Sequence, residues 1–302
     1  MFDFSYKSQY PSFSYEEKSF DFKNYKLKDS ITLRKDFISK GITILKIQNE
    51  NPEKICDEFK KLGDFFGRNQ VRDATRRSSL DTEDNQTNIK TVDLGKFVGP
   101  HAETSFSPAR PSVIGFVCLD IEENEKNNGL TTLIDGFNLW KDLSIKTKKV
   151  LLSSHIFYSL SVDTPLKKKL PKGLREWYLE YNGVRNVMLD GDNKKINFNF
   201  ITPFVTEHPI ERFLTISNHS FIYLNTEPQI MERKVNLPIS NTKELEDIRN
   251  DLHNALNKNI VTLKWEKGMV MYLDNFRFMH GRLPYNLNLK RKLYISQLKN
   301  YA

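Results

Sequence analysis

The chain has 302 residues with a formal net charge of +8, and 38% of the residues are hydrophobic and 12% aromatic. Its 21 phenylalanines and 12 tyrosines favour a β-rich core. We expect no transmembrane helix, because no apolar run approaches the roughly 20 residues that a bilayer requires. Two cysteines give no disulfide framework and the N-terminus lacks the pattern of a signal peptide, so we expect a cytoplasmic protein.

The sequence predicts a single domain over residues 1–302, because it has no internal repeat, low-complexity tract or Pro/Gly linker. Residues 42–47, ITILKI, form an apolar, β-branched run that is typical of a strand. Asn51 followed by proline indicates the start of a helix with one apolar stripe, which ends at Gly63. Residues 112–120 form a nearly continuous apolar run, as in a strand buried on both faces.

The second half of the chain contains a long insertion between regular elements. Residues 137–160 have helical spacing, which places His155 on an apolar helical face. A loop-rich insertion with short strands follows at about residues 161–240. Asn241 then caps a helix with one apolar stripe. Residues 260–274 read as a β-hairpin, since two apolar runs flank a Glu-Lys-Gly turn.

Three residues in two distant motifs could bind one metal ion. His101 and Glu103 lie two residues apart, so on an extended segment their side chains point to the same face. His280 would supply a third ligand. Two imidazoles and one carboxylate on one side of an ion leave the opposite side open, an arrangement typical of non-haem Fe(II) oxygenases. A His-x-Glu tripeptide alone also occurs by chance, so the surrounding motifs decide the interpretation.

Three longer motifs surround these residues. They read HAETSFSPARPSVIGFVCLD, NGLTTLIDGFNLW and MVMYLDNFRFMHGR followed by RKLYIS, in this order along the chain. Together they resemble the taurine dioxygenase / clavaminate synthase-like family of Fe(II)- and 2-oxoglutarate-dependent oxygenases, over most of residues 30–298. The positions that match the family's motifs are His101, Glu103, Ser105, Pro111, Gly129, Thr131, Asp135, Gly136, Asp274, Asn275, His280, Gly281, Arg282 and Arg291.

The resemblance implies a fold and a set of cofactors. The fold would be a β-rich α+β architecture, a distorted double-stranded β-helix (a cupin-like jelly roll) flanked by helices. The cofactors would be Fe(II), 2-oxoglutarate as cosubstrate, and O2. His101, Glu103 and His280 would hold the iron. Arg291 would pair with the distal carboxylate of 2-oxoglutarate, and Thr131 would add a hydrogen bond to that carboxylate.

Two departures from the family pattern bear on the substrate. The carboxylate is Glu103 where many members have Asp, and several relatives with Glu act on free amino acids or similar molecules. Ile295 stands where sulfonate-acting relatives have another arginine, which argues against a taurine-like sulfonate. We therefore predict hydroxylation of an aliphatic carbon of a small amino-acid-derived metabolite, in specialised biosynthesis, coupled to decarboxylation of 2-oxoglutarate to succinate and CO2. Desaturation and oxidative decarboxylation are alternatives, because the substrate pose decides the outcome.

The basic charge raises the question of macromolecular partners. The cluster Lys167–Lys172 with Arg175 could dock an acidic carrier protein that presents a tethered amino acid, although scattered lysines are also typical of an ordinary solvated surface. The sequence shows no basic motif interleaved with aromatic residues, the pattern that would indicate nucleic-acid binding. A non-catalytic protein that binds metal and 2-oxoglutarate is a further alternative. His208 and His219 are predicted to make turn and hydrogen-bond contacts rather than to bind metal.

Overall fold

The computed structural model describes residues 10–15, 18–20, 27–49, 51–69, 86–88, 97–106, 110–122, 129–163, 188–189, 195–221, 231–286 and 288–301. The helices in these stretches are α1 (Leu27–Lys40), α2 (Pro52–Gly63), α3 (Gly136–Asp142), α4 (Ile145–Leu152) and α5 (Thr242–Asn259). The strands are β1 (Lys18–Phe20), β2 (Ile42–Ile47), β3 (Gly67–Asn69), β4 (Gln86–Asn88), β5 (Val98–His101), β6 (Val113–Ile121), β7 (Thr131–Asp135), β8 (His155–Asp163), β9 (Met188–Leu189), β10 (Lys195–Pro203), β11 (Thr206–Glu207), β12 (Leu214–Thr215), β13 (Met231–Asn236), β14 (Val261–Leu263), β15 (Met269–Asp274), β16 (Phe278–Arg282) and β17 (Arg291–Tyr301). The predicted β-rich architecture with flanking helices is confirmed.

A seven-stranded sheet forms the larger wall of the core. Its strand order is β1-β2-β15-β6-β17-β3, and β4 also pairs with β17. The pairings in it are antiparallel, apart from β1 with β2. The strand predicted at residues 112–120 is β6, which lies in the middle of this sheet and is buried at its first seven positions. A strand covered on both faces has no solvent side, which explains its continuous apolar sequence.

A second, four-stranded sheet runs in the order β14-β7-β16-β5. One cluster of buried apolar side chains draws on both sheets and so lies between them; Ile114 and Ile295 come from the larger sheet, Leu133 and Leu263 from the smaller. We call it the interior cluster. The predicted hairpin over residues 260–274 is wrong, because β14 pairs with β7 whereas β15 pairs with β2 and β6. The two runs enter different sheets, and the short segment between them crosses from one sheet to the other.

Helices cover the outer face of the larger sheet. Asn51 is the N-cap of α2, as predicted, and its side chain accepts hydrogen bonds from the first helical N–H groups. Such a cap stabilises a helix by about 1 kcal/mol. The predicted stripe of Ile55, Phe59 and Leu62 is buried against side chains of β2, β6 and β15. Asn241 caps α5 in the same way, also as predicted.

A third sheet, in the order β13-β8-β10-β9, falls in and beside the region predicted as an insertion, and β11 pairs with β12. The helix predicted over residues 137–160 is wrong in its last part, where β8 starts at His155, and its first part divides into α3 and α4. His155 is exposed and does not lie on an apolar helical face. Ile156 and Tyr158 are buried in the core while their neighbours are not, which is the two-residue period of a strand.

The basic cluster Lys167–Lys172 with Arg175, predicted as a docking surface, lies outside the described residues. Within the described stretches, no helix is both long enough and apolar enough to cross a membrane. Neither Cys56 nor Cys118 forms a disulfide bond. Burial raises the pKa of the Cys118 thiol to about 12, so this cysteine stays protonated and unreactive at neutral pH.

Candidate active site

The two distant motifs meet in the four-stranded sheet. His101 is the last residue of β5, His280 lies in β16, and the two residues are direct partners in this antiparallel pair. Glu103 follows in the turn after β5, not on the extended segment that its spacing predicts. Potential ligand atoms of the three side chains all lie within 4.8 Å of one another. The fold thus brings the three predicted metal ligands into one group, the His–Glu–His group, which could hold a metal ion.

The chemistry of this group suits a divalent iron. The Nε2 atoms of His101 and His280 lie 3.9 and 3.8 Å from Glu103 Oε2. The three residues are only 7–9% exposed, and the ring of Phe116 lies 5.1 Å from that of His280. An ionised carboxylate in such surroundings is unfavourable unless a cation shares its charge. Two imidazoles and one carboxylate are the donor set that non-haem Fe(II) sites use.

Hydrogen bonds orient the side chains of His101 and Glu103. His101 Nδ1 lies 2.9 Å from the carbonyl oxygen of Gly99, so Nδ1 carries the donated proton and Nε2 keeps its lone pair for a metal. The amide Nε2 of Gln297 donates to Glu103 Oε1 at 3.3 Å. Glu103 Oε2 is therefore left facing the histidines. Sequence analysis did not single out Gln297.

Asn275 holds the backbone on both sides of the Glu103 side chain. Its Oδ1 accepts from the N–H group of Glu103 at 2.8 Å, and its Nδ2 donates to the carbonyl oxygens of Glu103 and Pro111 at 2.9 and 2.8 Å. The next residue, Thr104, has a φ of 52°, which is unfavourable for a β-branched side chain. The Asn275 hydrogen bonds offset this strain and fix the turn that carries the carboxylate. The sequence placed Asn275 in a family motif but gave it no role.

The end of β15, immediately before Asn275, is held by a buried pair that sequence analysis did not connect. His208 Nε2 lies 2.7 Å from Asp274 Oδ2, and both side chains are 2% exposed. His208 Nδ1 accepts from the N–H groups of Ile210 and Glu211 at 3.3 and 3.0 Å, so its proton is on Nε2 and is donated to Asp274. The predicted hydrogen-bond role of His208 is confirmed. A histidine distant in sequence from its carboxylate partner gives no local signal of this pairing.

A fourth histidine, His219, packs beside the His–Glu–His group. Its ring lies edge-on to that of His101, with 4.8 Å between the centroids. Its Nδ1 lies 2.7 Å from the carbonyl oxygen of Ala102 and 3.1 Å from the hydroxyl of Ser105. The predicted hydrogen-bond role of His219 is thus confirmed, and it belongs to the packing around the group.

Arg291, the first residue of β17, is a partly buried cation with an available N–H group. Its Nε atom is buried and has no hydrogen-bond partner in the described stretches. Gly129 has a φ of 72°, and a Cβ there would lie 3.3 Å from this Nε, so glycine allows the backbone to approach the guanidinium closely. Burial lowers the pKa of Arg291 to about 10, and the charge of Arg282 acts in the same direction. A bound carboxylate would compensate for both effects.

Thr131 lies at the start of β7, opposite Arg282 of β16. Its hydroxyl accepts a hydrogen bond from Trp265 Nε1 at 2.7 Å. An indole nitrogen only donates, so the hydroxyl proton of Thr131 remains able to donate to an acceptor. Trp265 lies between β14 and β15. Because the sequence predicts this segment as a hairpin, it did not predict the contact of Trp265 with Thr131.

Comparison with known proteins places this geometry in a family. The family model described as taurine catabolism dioxygenase TauD, TfdA family, matches residues 8–296. A comparison with curated proteins finds no match. Among solved structures, a protein described as an alpha-ketoglutarate-dependent taurine dioxygenase from Burkholderia xenovorans is 12% identical with a TM-score of 0.60, over 95% of this chain and 90% of that one.

Two further solved structures have a similar fold. A taurine dioxygenase from Burkholderia xenovorans is 13% identical with a TM-score of 0.58, over 95% of this chain and 87% of that one. AAD-2 in complex with Mn(II) and N-oxalylglycine is 11% identical with a TM-score of 0.56, over 91% of this chain and 88% of that one. At these identities the structures show the fold, whereas the family model covers nearly the whole chain. The chain therefore belongs to the TauD/TfdA family of Fe(II)- and 2-oxoglutarate-dependent dioxygenases.

Proposed function

We propose that this enzyme hydroxylates an aliphatic carbon of a small, amino-acid-derived metabolite while it decarboxylates 2-oxoglutarate. One oxygen atom of O2 enters the product and the other enters succinate, so substrate, 2-oxoglutarate and O2 give hydroxylated product, succinate and CO2. The observation that carries the proposal is the buried group of His101, Glu103 and His280, whose ligand atoms lie within 4.8 Å of one another. These residues hold Fe(II), which supplies the oxidising chemistry with 2-oxoglutarate and O2.

The role of the cosubstrate residues follows from their unmet hydrogen-bonding capacity. Arg291 pairs with the distal carboxylate of 2-oxoglutarate, which supplies the acceptor that its buried Nε lacks among the described residues. Thr131 donates its hydroxyl proton to the same carboxylate, since Trp265 already occupies a lone pair of its oxygen. The neighbour AAD-2 was solved with Mn(II) and N-oxalylglycine, a molecule with the two-carboxylate skeleton of 2-oxoglutarate, which supports a metal and a dicarboxylate cosubstrate in this fold.

The substrate class is inferred from one ligand and one apolar residue. Glu103 stands where Asp is more common, a feature that this chain shares with relatives that act on amino acids. Ile295 is 3% exposed within the interior cluster and offers no hydrogen-bond donor to a sulfonate. Substrate charge must therefore be recognised elsewhere in the site. An apolar wall of this kind also excludes water from the reacting centre.

Four finer statements belong to the same proposal. The two facing sheets form a distorted double-stranded β-helix, residues 1–302 form one domain with an insertion at about residues 161–240, and the protein is cytoplasmic. The substrate is free, or it is tethered to an acidic carrier protein. A carrier would make activity on the tethered substrate fall steeply with salt, whereas activity on the free substrate would barely change.

An anaerobic titration of the metal-free protein with Fe(II) and 2-oxoglutarate tests the proposal. We expect the visible charge-transfer band of an iron-chelated keto acid, which His280→Ala abolishes and Arg291→Ala weakens by raising the 2-oxoglutarate concentration required. Succinate release is then screened with amino acids, free and carrier-bound. Product mass separates hydroxylation from desaturation and decarboxylation. A folded wild type without the band would overturn the proposal, and a band without succinate from any substrate would favour a non-catalytic binding protein.

A further inference from the structure

Strand β17 places two polar residues at opposite ends of one inward-facing row. Successive side chains of a strand alternate between faces, so Arg291, Leu293, Ile295 and Gln297 share one face. Leu293 and Ile295 belong to the interior cluster, which identifies this face as the one between the sheets. Six residues of strand separate the two ends by roughly 20 Å.

The His–Glu–His group lies at the Gln297 end of this row. Gln297 contacts Glu103 directly, through the hydrogen bond of 3.3 Å to Oε1. In the proposed function, 2-oxoglutarate extends from the His–Glu–His group towards Arg291. Gln297 therefore lies on the side of the group that the cosubstrate leaves open, which is the side available to the substrate.

The carboxylate of Glu103 fixes the orientation of the Gln297 amide. An ionised carboxylate only accepts hydrogen bonds, so the NH2 group of the amide must face it and the carbonyl oxygen must point away. That carbonyl oxygen, Oε1, is buried and has no hydrogen-bond partner in the part of the chain that is described. Buried polar atoms are normally paired, and an unpaired one indicates a position where a ligand or a water supplies the missing group. The missing group here is a donor.

We propose that Gln297 determines specificity: its Oε1 accepts a hydrogen bond from an amino or ammonium N–H group of the substrate while its Nε2 holds Glu103. This inference rests on the proposed function and adds the feature by which an amino-acid-derived substrate is recognised. This contact also links substrate recognition to the His–Glu–His group, because the same amide contacts both the substrate nitrogen and the carboxylate of Glu103. An amide oxygen is neutral, so it selects for an N–H donor at a defined position without requiring a full ion pair.

A binding cycle tests this role. The complex with Fe(II) and 2-oxoglutarate is formed anaerobically, and each of the twenty L-amino acids is titrated into it while the charge-transfer band is followed. The amino acid that perturbs the band at the lowest concentration is then compared with its des-amino acid, which has hydrogen in place of the α-amino group. Both ligands are measured with wild type and with Gln297→Leu. Calorimetry with Mn(II) and N-oxalylglycine repeats the comparison in a complex without turnover.

We expect wild type to bind the amino acid about tenfold more tightly than the des-amino acid, the ratio for one hydrogen bond to a charged donor. In Gln297→Leu this ratio should fall to near one. A merely structural role would weaken both ligands equally and leave the ratio unchanged, which would overturn the proposal. So would a wild-type complex whose band no amino acid perturbs, although the band itself would still support the proposed metal site.

A second variant covers the case in which Gln297→Leu does not form the band. Gln297→Glu keeps an acceptor at the same distance from the backbone, and in its protonated form its O–H group replaces the amide N–H as the donor to Glu103, so the preference for the amino acid should persist where this variant forms the band. Loss of the preference in Gln297→Glu would contradict the role of Oε1. Absence of the band in wild type would instead reject the proposed function, so the two failures are distinguishable.

Discussion

Replacing Asn275 by alanine should damage stability and metal binding together. The side chain is 1% exposed and makes three hydrogen bonds to the backbone, two to Glu103 and one to Pro111. At about 1 kcal/mol for each bond, the free energy of unfolding should fall by roughly 3 kcal/mol. Thr104 would also relax from its φ of 52°, and the Glu103 turn would move with it. Loss of groups that orient a metal ligand typically weakens metal affinity by roughly 10- to 100-fold, and we expect Fe(II) binding to fall within this range.

The measurement requires a control with the same loss of stability. Leu62→Ala removes a fully buried side chain of α2 on the outer face of the larger sheet. It should lower the free energy of unfolding by about 2–5 kcal/mol. Urea denaturation gives the stability of both variants, and anaerobic competition with a chelator gives their Fe(II) affinity. If Asn275→Ala and Leu62→Ala bind Fe(II) equally well, Asn275 contributes to folding alone and its assigned positioning of Glu103 is wrong.

Three further predictions follow from the surroundings of the site. Gly281→Ala should weaken Fe(II) binding and lower the melting temperature, because the new Cβ would lie 2.5 Å from the carbonyl oxygen of Val98 and force β16 away from β5. A wild-type melting temperature and a wild-type Fe(II) affinity in this variant would contradict the prediction. The pKa of Arg291 is about 10, so the affinity of the Mn(II) protein for N-oxalylglycine should be constant from pH 7 to 9 and fall only above that pKa, as the guanidinium loses its proton. Fluorescence measures this affinity, and a fall already at pH 8 would implicate another group. Thr131→Val should lower the free energy of unfolding by about 1–3 kcal/mol in urea, because Trp265 Nε1 loses its acceptor, whereas Thr131→Ser should retain stability and 2-oxoglutarate affinity.

The sequence predicted the members of the His–Glu–His group because all three residues lie in two short motifs of recognisable residue types and spacing. It also predicted the starts of α2 and α5, since an Asn cap acts on N–H groups only two or three residues away. It did not predict that His280 would pair directly with His101. That register depends on which strands of the whole chain become neighbours, and no local pattern specifies it.

The failed hairpin prediction has the same physical origin. Both runs in residues 260–274 have strand patterns, and the turn between them is suitable for a hairpin. Each run nevertheless finds a better partner elsewhere, β7 for one and β2 with β6 for the other. Burial between two sheets offers more apolar contact than an isolated hairpin could. The resulting crossover is what brings Trp265 within 2.7 Å of Thr131.

The alternation of the final strand is a sequence signal that points to Gln297. Leu293 and Ile295 face the core, and the same two-residue period places Gln297 inward. An amide at an inward position of a buried strand is unfavourable unless each of its polar atoms finds a partner. One end of this amide is matched by Glu103, and the other is unmatched within the described stretches. A local rule broken in this way is expected where function outweighs stability, so inward polar residues on strands next to a metal motif are the first positions to test for substrate contacts.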